Sequence, residues 1–246
     1  MSQEIFERYE KKYMVARPQY ETLCHELEGK MTLDEFGRHT ISNIYFDTED
    51  YELIRTSIGK PAYKEKLRLR AYGEVKGDST VFLELKKKCG GIVYKRRVSM
   101  RLEEARKYLY QGIYPESDSQ ILREIDYTVK RYKLTAGAGV AYDRAAYYGN
   151  EDSALRLTFD ENIRCRASEL DLEYGPHGTP ILAPDTVLME IKIPGAMPLW
   201  MSRILSQLSI YPVSYSKYGA YYQEYLRQDL EYSLKVFIAK GGKICA

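Results

Sequence analysis

Histidine is scarce in this chain, with three residues among 246. His25 falls in a helical stretch, His39 opens a strand, and His177 lies in the loop Gly175-Pro176-His177-Gly178. None stands in a catalytic arrangement, so each is read as structural and a histidine general base is set aside. Cysteine is nearly as rare. Cys24, Cys89, Cys165 and Cys245 form no C-x-x-C pair and match no zinc spacing, which points to free thiols in a reducing compartment. No apolar run approaches the roughly 20 residues needed to span a bilayer. The start, Met1-Ser2-Gln3-Glu4, lacks a charged-then-apolar leader. Net charge is only +2, so the chain is not a broadly basic, DNA-coating protein, and any strong positive field must be local. Internal repeats, low-complexity stretches and clear linkers are also lacking. A single domain over 1–246 is expected, soluble and cytoplasmic, with a peripheral tail from about 230.

Alternation is what the chain has in plenty. Period-2 patterning predicts strands over 6–15, 39–46, 62–72, 79–88, 92–100, 134–148, 155–165 and 187–193. The fourth and fifth of these flank a Cys89-Gly90-Gly91 turn, which makes 79–88 and 92–100 a hairpin. Helical spacing predicts helices over 18–27, 102–110, 119–132, 199–208 and 217–226, and Asp47-Thr48-Glu49-Asp50 supplies capping groups for a short helix to about 57. Strands that neighbour one another in sequence favour an α+β fold. The expected architecture is a largely antiparallel sheet, or a closed barrel, with flanking helices.

The most informative strand carries Lys64, Lys66, Arg68 and Arg70 on one face and Glu65, Leu67, Leu69 and Ala71 on the other. If the leucine face is core, the opposite face is uniformly cationic, and a linear polyanion such as a triphosphate would offset it. The same two-sided pattern recurs elsewhere: Glu84, Lys86 and Lys88; Lys95, Arg97, Ser99 and Arg101; Arg156, Thr158 and Asp160; Glu190 and Lys192. On a single strand such a face is ordinarily just solvated. On five strands at once it fits a barrel with an ionic, water-filled lumen better, because burying so many ions in a dry core costs several kcal/mol each. Lys88 and Arg101, near strand ends, are read as mouth or surface charges.

In chain order the motifs are Glu10-Lys11-Lys12-Tyr13, Leu67-Arg68-Leu69-Arg70, Glu84-Leu85-Lys86, Lys95-Arg96-Arg97, Tyr142-Asp143-Arg144, Leu155-Arg156-Leu157, Met189-Glu190-Ile191-Lys192 and Ser216-Lys217-Tyr218. Over roughly residues 5 to 227 this ordered set resembles the polyphosphate polymerase domain of the vacuolar transporter chaperone (VTC) family. That domain belongs to the triphosphate tunnel, or CYTH-like, superfamily. The resemblance implies an α+β fold built on an eight-stranded antiparallel β-barrel, the triphosphate tunnel. It implies an enzyme that moves the γ-phosphoryl of ATP onto a growing inorganic polyphosphate and releases ADP.

By the same resemblance Arg68, Arg70, Lys86, Arg144, Arg156 and Lys217 are catalytic. Lys12, Lys95, Arg97, Tyr142, Lys192 and Ser216 bind substrate, and Glu190 binds Mn²⁺ or Mg²⁺. Partners are ATP or another nucleoside triphosphate and inorganic polyphosphate, with no nucleic acid; a membrane-protein partner is left open. Tyr142 is read as core or as a nucleotide-stacking ring, and Asp160 as a strand-end residue or a metal-site partner. Lys64 and Lys66 match no family position and are read as drawing anions to the entrance. The wider superfamily opens with Glu-x-Glu-x-Lys, whereas this chain has Arg8, Glu10 and Lys12. The lost carboxylate favours the polymerase branch over the hydrolysing one. The amino-terminal regulatory (SPX) and carboxy-terminal membrane modules of the eukaryotic proteins are not expected. The competing readings are a tunnel-type inorganic or nucleoside triphosphatase and a non-catalytic polyphosphate-binding module.

Overall fold

A computed structural model of the chain describes residues 9–90, 92–193 and 195–228. Arg8, Cys245 and the tail expected from about 230 lie outside them. The first half contains β1 (Tyr9–Ala16), α1 (Arg17–Leu27), β2 (Met31–Asp47), α2 (Glu52–Ile58), β3 (Tyr63–Tyr72), β4 (Thr80–Cys89) and β5 (Ile92–Arg101). After α3 (Leu102–Gln111) and α4 (Gln120–Tyr132) come β6 (Thr135–Gly149), β7 (Arg156–Arg166), β8 (Thr179–Pro180) and β9 (Thr186–Ile193). The chain then runs through α5 (Leu199–Gln207), β10 (Pro212–Val213) and α6 (Lys217–Tyr221), which continues as a wider π-helical turn over Tyr222–Leu226.

All strands pair antiparallel in one sheet, ordered β10-β1-β9-β7-β6-β2-β3-β4-β5, with β8 added beside β7. The eight strands expected from alternation are the eight long ones. The two-residue β8 and β10 are additions, too short to show a period. β2 also reaches back to Met31, further than alternation suggested. Its register shifts between Leu33 and Arg38, where Gly37 takes a positive φ of 57°, and this bulge breaks the period-2 signal.

The expected closed barrel needs correction. Among the described residues no ladder joins β5 to β1 or β10, so the hydrogen-bonded sheet is open. It is nevertheless strongly coiled. β1 and β4 are six strand spacings apart, about 29 Å on a flat sheet at ~4.8 Å per step. Yet Lys86 Nζ on β4 lies 3.9 Å from Glu10 Oε2 on β1. Right-handed twist accumulated over eight long strands brings the edges face to face without pairing them.

The apolar faces of the strands point outward and are covered by helices. α3 and α4 cover β3 and β4, where Leu67, Leu69, Leu83 and Leu85 meet Leu102, Leu122 and Ile125. α1 and α5 cover β1, β7 and β9, where Val15, Leu157, Phe159 and Met189 meet Leu23 and Met201. Ser119 caps α4 by accepting from Leu122 N at 3.1 Å. The buried Asp47 does the same for α2, accepting from Leu53 N at 2.8 Å and Ile54 N at 3.0 Å. Glu65, the one carboxylate on the leucine face, is buried between Lys87 at 3.8 Å and the hydroxyls of Thr128 and Tyr132. A third apolar cluster joins Ile41, Val140 and Leu188 to Ile54, Tyr218 and Tyr221, and so seats α2 and α6 against the sheet. No described helix is long and apolar enough to cross a membrane.

Candidate functional site

Strand alternation turns the ionic residues to the concave face, and register decides which of them meet. Across β3, β4 and β5 the order is Arg68, Glu84, Arg97. Arg68 donates to Glu84 Oε2 through Nε at 2.8 Å and lies 2.7 Å from it through Nη2. Arg97 Nε reaches Oε1 at 2.7 Å, Lys95 Nζ reaches it at 2.8 Å, and Arg70 Nη1 stands 3.9 Å from Oε2. Glu84 is only 2% exposed. Burial opposes its ionisation, but Arg68, Arg70 and Lys95 outweigh burial and hold its carboxyl well below the usual range. The cationic strand is therefore not wholly unmatched, because Glu84 on the next strand sits among its arginines. One carboxylate against four cations still leaves this wall strongly positive.

Arg70 is the more enclosed of the two arginines. Its Nε donates to Asn43 Oδ1 at 2.9 Å and its Nη2 to Tyr142 Oη at 3.0 Å. Arg68 also donates to Tyr45 Oη, at 3.2 Å.

A second cluster forms where β6, β7 and α6 converge. Asp160 is fully buried and accepts from Arg144 at 2.6 and 2.7 Å and from Lys217 Nζ at 2.5 Å. Both its oxygens are occupied, so it holds Arg144 and Lys217 in place and does more than end a strand. The Tyr142 ring has Arg144 5.2 Å and Lys217 4.2 Å from its centre and is 3% exposed. This burial among cations matches the core reading of Tyr142. Ser216 caps α6 by accepting from Gly219 N at 3.2 Å, and its Oγ also receives Lys66 Nζ at 3.1 Å.

The third cluster lies on β1 and β9. Lys12 stands between Glu10 at 3.3 Å and Glu190 at 3.8 Å and donates to the Tyr215 carbonyl at 3.2 Å. Lys192 meets Glu190 at 2.8 Å. Burial again opposes the Glu190 charge, and Lys192 and Lys12 overcome it. In register with Glu190 on β7 is Thr158, whose buried Oγ1 has no hydrogen-bond partner. Among the described residues no group of three or more His, Cys, Asp or Glu could hold a metal. The oxygen donors on these strands are Glu10 and Glu190, both paired with lysines, and the orphaned Thr158 hydroxyl. That donor set fits a hard divalent ion shared between one or two carboxylates and ligand phosphates, and does not fit a metal held by protein alone.

The structure thus brings together all the sequence-predicted residues except Arg156, in three neighbouring clusters. Arg156 is exposed at the start of β7, 5.6 Å from the Tyr148 ring and in register with Lys192. Lys66 is the residue that sequence reasoning undervalued. It points into the concave face with no carboxylate in ion-pair reach among the described residues, and burial lowers its pKa to about 8. Lys64 donates to the Ser57 carbonyl at 3.1 Å. In register, Lys64 faces Lys88 and Lys66 faces Lys86, so two like-charged pairs lie side by side. Tyr45, beside Lys66 and Arg68, was also missed. Its place on the lumen face was visible in the alternation of Ile41, Asn43 and Tyr45, but its aromatic character reads as core.

Solved structures that share this fold include the following two. One is a candidate adenylate cyclase from Bacillus halodurans, 16% identical, with a TM-score of 0.52 over 84% of this chain and 92% of that one. The other is a candidate adenylyl cyclase from Hippeastrum described as having a dominant triphosphatase activity. It is 16% identical, with a TM-score of 0.50 over 87% of this chain and 94% of that one. No curated protein matches in sequence. Residues 7–225 match the family described as the VTC domain, and with that span covering all three ionic clusters the chain belongs to the VTC domain family.

Proposed function

We propose that the coiled sheet is a phosphoryl-transfer tunnel in which the γ-phosphoryl of ATP passes to the terminal phosphate of an inorganic polyphosphate, with release of ADP. The observation that carries this reading is the charge imbalance of the concave face. Among the described residues, Lys12, Lys64, Lys66, Arg68, Arg70, Lys86, Lys95, Arg97, Arg144, Lys192 and Lys217 share this face with the carboxylates of Glu10, Glu84, Asp160 and Glu190. A linear polyanion is the ligand that discharges such a surface, and family membership points the same way.

Phosphoryl transfer asks the protein mainly for position and charge. Arg68, Lys95 and Arg97, held by Glu84, offer their remaining N–H groups to phosphate oxygens, each charge-assisted bond contributing about 1.5–3 kcal/mol. Arg144 and Lys217, oriented by Asp160, extend the cationic wall on the far side of Tyr142 from Arg70. An oxygen of the acceptor's terminal phosphate attacks the γ-phosphorus, and the bond to the β–γ bridging oxygen breaks with its electron pair leaving on ADP. The acceptor is already an anion, so no general base is required and the scarcity of histidine is no obstacle. Glu190, with Glu10 and the Thr158 hydroxyl, would hold Mn²⁺ or Mg²⁺, which supplies further positive charge to the phosphate oxygens. Arg156 and Lys192 guide the chain at the rim. We place this activity in the cytoplasm.

The test is incubation of the purified chain with ATP and Mn²⁺, followed by gel analysis. Long polyphosphate with ADP supports the proposal. Orthophosphate as the only phosphate product overturns it in favour of a tunnel triphosphatase, and metal-independent binding without turnover in favour of a binding module.

A further inference from the structure

One end of the concave face is aromatic instead of ionic. Tyr72 on β3 lies two residues beyond Arg70 on the same side of the strand, and Phe82 on β4 lies opposite Arg70 in register. Ring contacts run on from there: Phe82 to Tyr72 at 5.6 Å, Tyr72 to His39 at 5.9 Å, and His39 to Phe36 at 6.3 Å. The row crosses β4, β3 and β2 and ends at the bulge of β2. Such rings normally close into a core, but here Phe36 is 69% and Tyr72 41% exposed. No pair in the row is stacked, with interplanar angles of 74°, 53° and 73°. Tyr45 and Tyr218, deeper in, do stack, at 21°. Phe36 and Tyr72 therefore keep ring surface open to a planar guest, while Phe82 carries Arg97 on its ring.

Arg97 couples this row to the anion-binding wall. Its Nε is bound to Glu84 at 2.7 Å, its Nη2 donates to Tyr72 Oη at 2.7 Å, and its guanidinium lies 4.2 Å from the Phe82 ring centre. A single side chain thus belongs both to the cationic wall and to the aromatic surface. A ligand that matches both is a chain of phosphates ending in a flat heterocycle.

Resting on the reading that the donor is a nucleoside triphosphate, we infer that Phe36, His39, Tyr72 and Phe82 form a nucleobase platform at the rim of the tunnel. The base stacks there while the phosphates run inward past Arg97 and Arg70. Stacking on aromatic faces tolerates any base, so the platform separates nucleotides from bare polyphosphate without choosing among bases.

Calorimetry on the purified full chain tests this with two probes, the β,γ-imido analogue of ATP and inorganic tripolyphosphate. In Phe36→Ala/His39→Ala the analogue should bind roughly tenfold more weakly, while tripolyphosphate affinity moves by less than about twofold. Tyr72→Phe should leave the ratio of the two affinities unchanged and Tyr72→Leu should lower it. Equal loss for both probes, unchanged analogue affinity in the double variant, or no binding of the analogue by the unaltered chain overturns the platform. The affinity ratio is read without turnover, so a chain that makes no polymer refutes the proposed reaction and still leaves the platform decided by these measurements.

Discussion

Arg68 meets Glu84 across the β3–β4 ladder with two of its nitrogens, at 2.8 and 2.7 Å, on a single carboxylate oxygen. The other oxygen is left to Lys95 and Arg97. Glu84 does not neutralise this wall. It fixes the directions of cations that would otherwise repel one another, so that their free N–H groups face the lumen before any ligand arrives. Preorganised charge of this kind is worth more than mobile charge at the moment of reaction.

Removing Arg68 should therefore damage chemistry more than folding. Arg68→Ala should lose at least about a hundredfold in turnover. Glu84 keeps Lys95 and Arg97, so the melt should remain cooperative. ADP release and a thermal melt on the same sample check this, and near-normal turnover would remove Arg68 from the proposed site. Arg68→Lys should recover little, since an ammonium cannot place two donors on one oxygen.

Glu84→Gln should behave in the opposite way. It leaves a group of cations without their buried anion, a loss on the order of 3–5 kcal/mol. Added tripolyphosphate should raise the melting temperature more in the variant than in the parent, because the ligand supplies the missing charge. The pH dependence follows from the lowered carboxyl. The unaltered chain holds this stability above the ordinary Glu pKa of about 4.3 and loses it as pH falls toward the folded value. The variant should show a shallower loss of stability in acid.

Alkaline pH should weaken polyanion binding through two neighbours. Burial lowers Lys66 to about 8. Burial would raise Tyr45, but Arg68, Lys66 and Arg70 bring it down to about 8. Above that pH the lumen loses a positive charge and gains a negative one, so tripolyphosphate affinity should fall between pH 7 and 9. Lys66→Arg should retain more affinity at pH 9. Stability moves the other way. The unfolded chain keeps both protons until about pH 10, while the folded chain has released them. The ligand-free protein should therefore gain stability between about pH 8 and 10. A melting temperature that falls throughout this window in the unaltered chain but not in Lys66→Met would contradict the sign.

Thr158→Val separates folding from function at one atom. The Oγ1 has no partner, so replacing it with a methyl should leave the free chain as stable or more so, by up to about 1 kcal/mol. If the hydroxyl serves a phosphate or its metal, turnover should drop and half-saturation with Mn²⁺ should move upward. Unchanged kinetics would assign Thr158 to the wall alone.

Much of this was legible in the chain. The faces of β3, β4, β7 and β9 follow from alternation alone, because a strand turns every second side chain to one side. Element order, and the outward direction of Leu67 and Leu69, follow as well. What alternation cannot carry is register. Nothing local to Arg68 says that Glu84 lies opposite it, or that Lys66 faces Lys86, since both depend on the hairpin alignment. The position of Ser216 and Lys217 was equally hidden, because a helix entering the concave side of a sheet leaves no mark on the spacing of its own residues. Tyr142 shows the limit of composition: a tyrosine among cations reads as a stacking platform until burial is known.

The open seam has a mechanical consequence. A hydrogen-bonded barrel has a circumference fixed by its strand number and stagger. Here the sheet turns back on itself with β4 and β1 bridged by a half-exposed lysine and Glu10, an ion pair of a kind that contributes about 0–1 kcal/mol. With no ladder closing the seam among the described residues, backbone pairing does not fix the bore there, and this bridge across it is one that salt screens.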